Sequence, residues 1–431
     1  MRALRALVCA AVAAAAAPAS AGPIAHREVL PDGAVLVVAE RPSIPIVVVR
    51  VNVRAGSVYD PPDAGGLASL TADLLARGTA KRTGPELDRA IEFVGGSLTG
   101  DAGRDGATVS LSVLKKDLPL GLDLLAEVLL QPTFPEEELR RRVEEVAAAI
   151  QRSEEDPETV AGRAMAEILY PGHPYSRPVV GTVESVRRLT REQVAAFHRD
   201  NYRPDSAVIS VVGDVTVDEA RRELWKRLGG WSAAASTRPA IPPAPASPPV
   251  ESRRIARDLT QTTVSLARPG ISQDHPDYFP LVVANYILGG GSASRLYMKV
   301  REERGLAYSV YSGLGPGLYG SSYFVGLQTR LEAVDEAVHL VREEMARMGR
   351  EGATARELAL AKSYLIGSYP LRTDTSGKMA GLLVGIEEYH LGLDWPDRFK
   401  AGISRVSVAD VKRVATTYMN PATFSSVVVG K

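Results

Sequence analysis

An arginine and a tyrosine seven positions apart, Arg301 and Tyr308, flank a predicted corner between a helix and a strand. They lie in residues 289–313, which read GGGSASRLYMKVREERGLAYSVYSG. Apolar residues at helical spacing predict a helix over residues 292–304, and alternation from Tyr308 onward predicts a strand. Gly305 is typical of a helix C-terminus, because glycine adopts the left-handed conformation freely. The corner is therefore a candidate site for holding an extended ligand.

Histidine and cysteine, the usual zinc ligands, are sparse in this chain. The six histidines, no two of which are three or four positions apart, are His26, His173, His198, His275, His339 and His390. Because a zinc-binding helix presents its ligands one turn apart, the spacing gives no metal site. His173, in the sequence Gly-His-Pro-Tyr, is instead predicted to order its loop.

Length and charge limit the possible functions. The chain has 431 residues, more than one hydrophobic core usually serves, so two domains are expected. Its 51 basic and 51 acidic residues give a formal charge of zero, which provides no electrostatic attraction for nucleic acid or an anionic membrane. Nucleic-acid binding is therefore not expected.

The first 22 residues have the pattern of a signal peptide. Arg2 and Arg5 precede the apolar residues 6–16, and Ala19-Ser20-Ala21 would form the cleavage site. The apolar run is short for a membrane span, which needs about 20 residues, so stable membrane insertion is not expected. The only cysteine, Cys9, lies in this segment. We predict an exported, periplasmic protein whose mature chain has no cysteine.

The rest of the chain divides at a segment rich in proline and alanine. We predict an N-terminal domain over residues 23–231, a linker over 232–250 and a C-terminal domain over 251–431. Residues 189–214 and 406–431 both predict a capped helix, a proline turn and a valine-rich strand ending near glycine. This repeat predicts an α+β protein of two homologous domains, each a mostly antiparallel sheet with helices on one face.

Three stretches together resemble the pitrilysin and mitochondrial processing peptidase family. They are AGGLASLTADLLARGT (64–79), GHPYSRPVVGT (172–182) and LGGGSASRLYMKVREERGLAYSVYS (288–312). Active members of that family carry an inverted zinc motif, H-x-x-E-H, on a helix. Its two histidines bind zinc, its glutamate activates a water and a glutamate further along the chain completes the ligand set.

The resemblance places this zinc motif on residues that have lost its chemistry. The two histidines fall on Ser69 and Asp73, the general base on Ala72 and the downstream ligand on Ala149. A supporting glutamate seven positions before that ligand falls on Arg142. The spacing also predicts an apolar stripe (Leu67, Leu70, Leu74 and Leu75), with Ser69, Ala72 and Asp73 on the opposite face toward a cleft. We therefore expect no zinc or other cofactor in this chain.

The family's substrate-binding pair is retained. The resemblance places it on Arg301 and Tyr308, where the arginine would bind a peptide carbonyl and the tyrosine hydroxyl would stabilise an oxyanion. In two-subunit relatives, one chain carries zinc and the other carries this pair. The resemblance thus implies a non-catalytic subunit of a heterodimeric zinc peptidase, with a zinc-bearing H-x-x-E-H partner and a peptide substrate.

Other interpretations of these residues stay open. Arg301 could pair with the neighbouring glutamates, and Tyr308 could be an ordinary strand residue with its hydroxyl in water. The acidic and basic run over residues 136–142 is most simply a solvated helix surface with i,i+4 pairs. At the level of function, the chain could be a structural or peptide-binding protein with no peptidase role, or a metal enzyme that uses Asp73.

Overall fold

The computed structural model describes residues 23–232 and 238–431, and it confirms the predicted α+β architecture. The strands are β1 (His26–Val29), β2 (Val35–Glu40), β3 (Ile46–Val53), β4 (Ser97–Ala102), β5 (Ala107–Leu114), β6 (Ala207–Gly213), β7 (Ser252–Ala256), β8 (Gln261–Pro269), β9 (Ala307–Gly315), β10 (Ser322–Arg330) and β11 (Ser425–Gly430). The helices of the first half are α1 (Leu67–Leu74), α2 (Gly84–Phe93), α3 (Leu118–Leu130), α4 (Glu136–Ser153), α5 (Pro157–Leu169), α6 (Val183–Arg187), α7 (Arg191–Asn201) and α8 (Val217–Leu228). Those of the second half are α9 (Tyr278–Gly289), α10 (Val334–Glu351), α11 (Ala355–Gly367), α12 (Ser376–Glu388), α13 (Trp395–Arg405) and α14 (Val408–Tyr418).

The two halves build their sheets in the same order. The first sheet runs β1-β2-β6-β3-β5-β4 and the second runs β7-β11-β8-β10-β9. In each sheet one pair is parallel, β2 with β6 and β7 with β11, and the strands that follow pair antiparallel. The first sheet differs only by β1 at its edge. This correspondence is what duplication of one α+β unit would produce.

Successive side chains along a strand point to opposite faces of the sheet, and in β3 both faces are covered. In β3, Val47, Val49, Val51 and Val53 are at most 1% exposed and face the helices of the first half. The intervening Val48 faces the other side, where it packs in a separate cluster with Ala380 and Leu383 of α12. The valine-rich sequence of β3 therefore reflects a strand covered on both faces.

Each half also contributes a helix to the other half. Helix α5 packs against β8 and β11 of the second sheet, and α12 packs against β3 and β6 of the first. The α5 contact is apolar and includes Met165 and Ile168 against Val427 and Val429. The prediction of helices on one face is correct for each half's own helices, but a helix from the opposite half covers part of the other face.

Two sequence-level predictions concern the N-terminal segment and the linker. The predicted signal peptide, residues 1–22, lies outside the described residues. Residues 238–250 form no helix or strand, yet they contact both halves: Pro242 O hydrogen-bonds His173 Nε2 at 3.0 Å, and Ala244 N donates to Tyr319 O at 2.6 Å. Among the helices described, none combines the length and apolar character needed to cross a bilayer.

Candidate functional site

The corner between Arg301 and Tyr308 has an unusual backbone. Residues Tyr297–Glu303 form a π-helical turn, which is shorter than the helix predicted over residues 292–304. Gly305 ends this turn with φ of +60°, as predicted, and its N–H donates to Arg301 O at 3.0 Å. π-Helical turns occur frequently at functional sites, because the wider turn redirects side chains. Strand β9 then begins at Ala307.

The structure brings Arg301 and Tyr308 together. The guanidinium carbon of Arg301 lies 5.3 Å from the centre of the Tyr308 ring and 4.9 Å from that of Tyr297. These distances are typical of cation–π contacts, which fix the plane of the guanidinium. Glu302 lies 3.8 Å from Arg301 Nε, too far for a hydrogen bond, so the neighbouring glutamate does not hold the arginine in place.

Both side chains are available to a ligand. The side chain of Arg301 is 38% exposed and Tyr308 is 73% exposed. Within the part of the chain that the structure describes, neither the guanidinium of Arg301 nor the hydroxyl of Tyr308 has a hydrogen-bond partner. Tyr308 is also near the start of an edge strand, because β10 is the single neighbour of β9 among the strands described. A free donor fork and a free phenol thus face solvent at one sheet edge.

The role of Tyr297 could not be recognised from sequence. Its position four residues before Arg301 fits the apolar side of a helix equally well. In the structure its ring instead contacts the guanidinium face.

The positions that resemble a zinc motif lie on α1. Its predicted apolar stripe is confirmed, since Leu67, Leu70, Leu74 and Leu75 are at most 3% exposed. The prediction of an open opposite face is wrong for Ala72, which is 1% exposed. Gly100 of β4 covers it so closely that a Cβ on residue 100 would lie 2.3 Å from Ala72 O. Ser69 and Asp73 are only partly exposed.

Asp73 is engaged by an arginine. Its Oδ2 accepts from Arg142 Nη2 at 2.8 Å and from Arg142 Nε at 3.0 Å. Burial raises the pKa of Asp73, and the bonds from Arg142 oppose that rise. The prediction that residues 136–142 form only a solvated surface is therefore wrong for Arg142, although Arg141 does pair with Glu138 and Glu145 on the surface.

These residues do not fit a zinc ion. Ser69 and Ala72 offer no strong ligand, Ala149 is an exposed alanine on α4, and Asp73 is bonded to a guanidinium. Across the described residues, no three His, Cys, Asp or Glu side chains cluster closely enough to hold a metal ion. An arginine beside Asp73 would also repel a cation.

A buried carboxylate, which sequence analysis missed, organises the start of α1. Asp60 Oδ2 accepts from Gly66 N at 2.9 Å, and Oδ1 accepts from Ala68 N at 2.8 Å. Gly66 has φ of +92° and no side chain that could cap the helix. Burial raises the pKa of Asp60 to about 7, although the two N–H donors act in the opposite direction. Sequence analysis did not indicate this contact, because Asp60 lies six residues before Gly66 and so matches no helix-capping pattern.

Comparisons with known proteins agree with this geometry. A family model described as insulinase (peptidase family M16) matches residues 35–183, and one described as peptidase M16 inactive domain matches residues 188–365. An uncharacterized zinc protease of Mycobacterium leprae is 30% identical over 85% of this chain and 82% of its own length. A non-peptidase homolog of Helicobacter pylori is 25% identical over 94% of this chain and 94% of its own length.

Solved structures show the same architecture. The crystal structure of a peptidase M16 inactive domain from Pseudomonas fluorescens has a TM-score of 0.89 at 30% identity, covering 94% of this chain and 97% of that one. A protease from Helicobacter pylori has a TM-score of 0.88 at 20% identity, covering 95% of this chain and all of that one, which is a likeness of fold. The chain therefore belongs to the M16 (insulinase) peptidase family.

Proposed function

We propose that this chain is the non-catalytic subunit of a heterodimeric zinc peptidase. The observation that carries the proposal is a free and preorganised Arg301–Tyr308 pair in a chain whose Asp73 is bonded to Arg142. Arg301 and Tyr308 have the chemistry to bind a peptide, whereas Ser69, Ala72, Asp73 and Ala149 do not have the chemistry to bind zinc. A partner of the same family with an intact H-x-x-E-H motif would supply zinc, the attacking water and the general base.

In this arrangement Arg301 binds the substrate. The rings of Tyr297 and Tyr308 contact the guanidinium, so the fork is held without an acidic partner at hydrogen-bond distance. A guanidinium with no carboxylate at hydrogen-bond distance can donate its N–H groups to peptide carbonyls. A peptide would lie extended along a sheet edge of the partner, where backbone hydrogen bonds supply affinity.

Tyr308 contributes to the reaction step. Its exposed hydroxyl can donate to the oxygen of the scissile carbonyl as negative charge develops there. Exclusion of water when the two subunits close would strengthen this hydrogen bond. The chain would act in the periplasm, as its first 22 residues predict.

Reconstitution tests the proposal. The purified chain would be mixed with a zinc-bearing family member from the same organism, and cleavage of a fluorogenic peptide library would be followed. We expect no cleavage by this chain alone and cleavage by the mixture well above that of the zinc-bearing chain alone. A mixture no more active than the zinc-bearing chain would contradict the proposal.

A pulldown separates the proposal from the structural alternative. With this chain as bait in periplasmic extract, we expect recovery of a protein that carries H-x-x-E-H. Recovery of this chain alone, as a self-associated form, would favour a structural or peptide-binding protein.

A further inference from the structure

A cavity of about 460 Å³ lies between the first sheet and the start of α12, which comes from the second half. Its walls include two arginines, Arg41 and Arg50, and a row of serines on the strands. The cavity lies on the sheet face that α12 covers and contains neither Arg301 nor Tyr308. Its volume falls in the range of small-molecule sites, about 300–1,000 Å³.

Strand register explains why one wall is polar. Arg50 pairs with Ser110 across β3 and β5, and Val48 pairs with Ser112, which in turn pairs with Ser97 of β4. Directly paired residues point to the same face of a sheet. The serines therefore line the same face as Arg50. No hydroxyl of these three serines has a hydrogen-bond partner among the residues described.

Arg50 carries an unsatisfied donor. Its Nε is buried and has no hydrogen-bond partner in the described structure. The buried hydroxyl of Ser210, which pairs with Arg50 across β3 and β6, also has none. The side chain reaches α12, where a Cβ on residue 381 would lie 3.0 Å from Arg50 Nη1, so Gly381 makes room for it. Unpaired buried donors are rare and indicate a ligand or water.

Both halves of the chain contribute positive charge to the cavity. Within the described residues, neither Arg41 nor Arg50 has a carboxylate at ion-pair distance; Arg41 Nη1 donates to Thr373 O at 2.7 Å. The opposite wall includes Ser376 and Gly377, the first two residues of the 13-residue helix α12. Their backbone N–H groups have no acceptor in the described part of the chain, and they form the positive end of the helix dipole.

One acidic residue, Asp374, also lines the cavity. It is paired with Lys378 at 2.9 Å, and the hydrogen bond from Lys378 lowers its pKa. Its charge is therefore balanced locally. The net charge of the wall is positive.

We propose that this cavity binds the oxyanion group of a small molecule, a phosphate or a carboxylate, independently of the proposed peptidase role. The guanidinium of Arg50 would pair with the anion, the serine hydroxyls would donate to it, and the first turn of α12 would bind it through free N–H groups. Because the two walls come from different halves, the bound anion would also stabilise their contact.

Isothermal titration of the full chain with inorganic phosphate tests the proposal, with succinate as the carboxylate probe and chloride at equal ionic strength as the control. We expect one-to-one binding of at least one oxyanion and none of chloride. Stronger binding of phosphate or of succinate identifies the group. If neither phosphate nor succinate bound more strongly than chloride, the proposal would be overturned.

Two matched variants locate the site. Ser97→Asp places a carboxylate at the exposed side of the cavity and should bind the anion about tenfold or more weakly than Ser97→Asn, which has nearly the same size, no charge and an amide N–H that can donate in place of the hydroxyl. Arg50→Gln should also weaken binding about tenfold, while Arg140→Gln, on the solvent face of α4, should not. Equal affinity in the two Ser97 variants would overturn the assignment, even if Arg50→Gln failed to fold.

Discussion

The ion pair between Asp73 and Arg142 can be tested by replacing Arg142 with methionine, which keeps the aliphatic stem and removes the charge. The change would leave Asp73 partly buried without its two hydrogen bonds from Arg142. Hydrogen bonds to charged groups contribute about 1.5–3 kcal/mol, and exposed ion pairs about 0.2–1 kcal/mol. The two side chains are 36% and 23% exposed. We therefore expect Arg142→Met to lower the free energy of unfolding by about 1–2 kcal/mol at pH 7.

The effect of Arg142→Met on stability should depend on pH, in the direction set by the shifted pKa of Asp73. Burial raises the pKa of Asp73 above its ordinary value of 3.8, and Arg142 limits the rise. A raised folded pKa means that the folded state binds more protons, so this group's contribution to stability falls as the pH rises. Arg142→Met raises that pKa further. The deficit of the variant should be largest at neutral pH and should shrink as Asp73 becomes protonated on acidification.

Guanidinium denaturation, followed by tryptophan fluorescence, measures these differences. Arg141→Met is the matched control, because Arg141 pairs only with glutamates of its own helix surface, and it should cost about 0.5 kcal/mol or less. A double-mutant cycle with Asp73→Asn should give a coupling near 1–2 kcal/mol. A coupling below about 0.3 kcal/mol, or a deficit independent of pH, would refute the reasoning.

Three further results are expected. Gly305→Ala should lower the free energy of unfolding by about 1 kcal/mol, because φ is +60° at this residue. Gly162→Ala, inside α5 with open space around it, should leave the free energy of unfolding equal or higher. Chemical denaturation compares the two variants, and equal effects would contradict the role of Gly305 in ending its helical turn. The contribution of Asp60 to stability should fall as the pH rises from 3.8 toward about 7, because burial raises its pKa, so the difference in the free energy of unfolding between the wild type and Asp60→Asn should change over this range; a difference independent of pH would contradict it. Metal analysis of the isolated chain after dialysis against zinc should find far less than one equivalent, and stoichiometric zinc would revive the reading of Asp73 as a ligand.

Local rules predicted much of the fold and one side of the site. Gly305 ends its helix with positive φ, and Arg301 and Tyr308 meet at the corner that the sequence indicates, because both features depend on a few consecutive residues. The apolar stripe of α1 also follows from spacing alone. The duplicated sheet order could be expected because the two halves repeat one succession of elements.

Contacts distant in sequence were not predictable in the same way. Arg142 reaches Asp73 from 69 residues away, and its helix alone looks like a solvated surface. Ala72 is buried because Gly100 lets an edge strand approach α1, which no property of α1 reveals. The exchange of α5 and α12 between the halves depends on how two complete units pack. Such features depend on contacts of the whole folded chain, which local sequence patterns do not indicate.

The most direct test of the proposed function is the specificity constant of the reconstituted pair with Arg301→Ala and Tyr308→Phe in this chain. If the two side chains act at the partner's zinc site, kcat/KM should fall about 10²–10³-fold while the dissociation constant of the heterodimer stays unchanged. Lys299→Ala, which removes a surface pair with Glu303 on the same π-helical turn, should leave both values unchanged. An unaltered kcat/KM in the double variant, with the complex intact, would contradict the account.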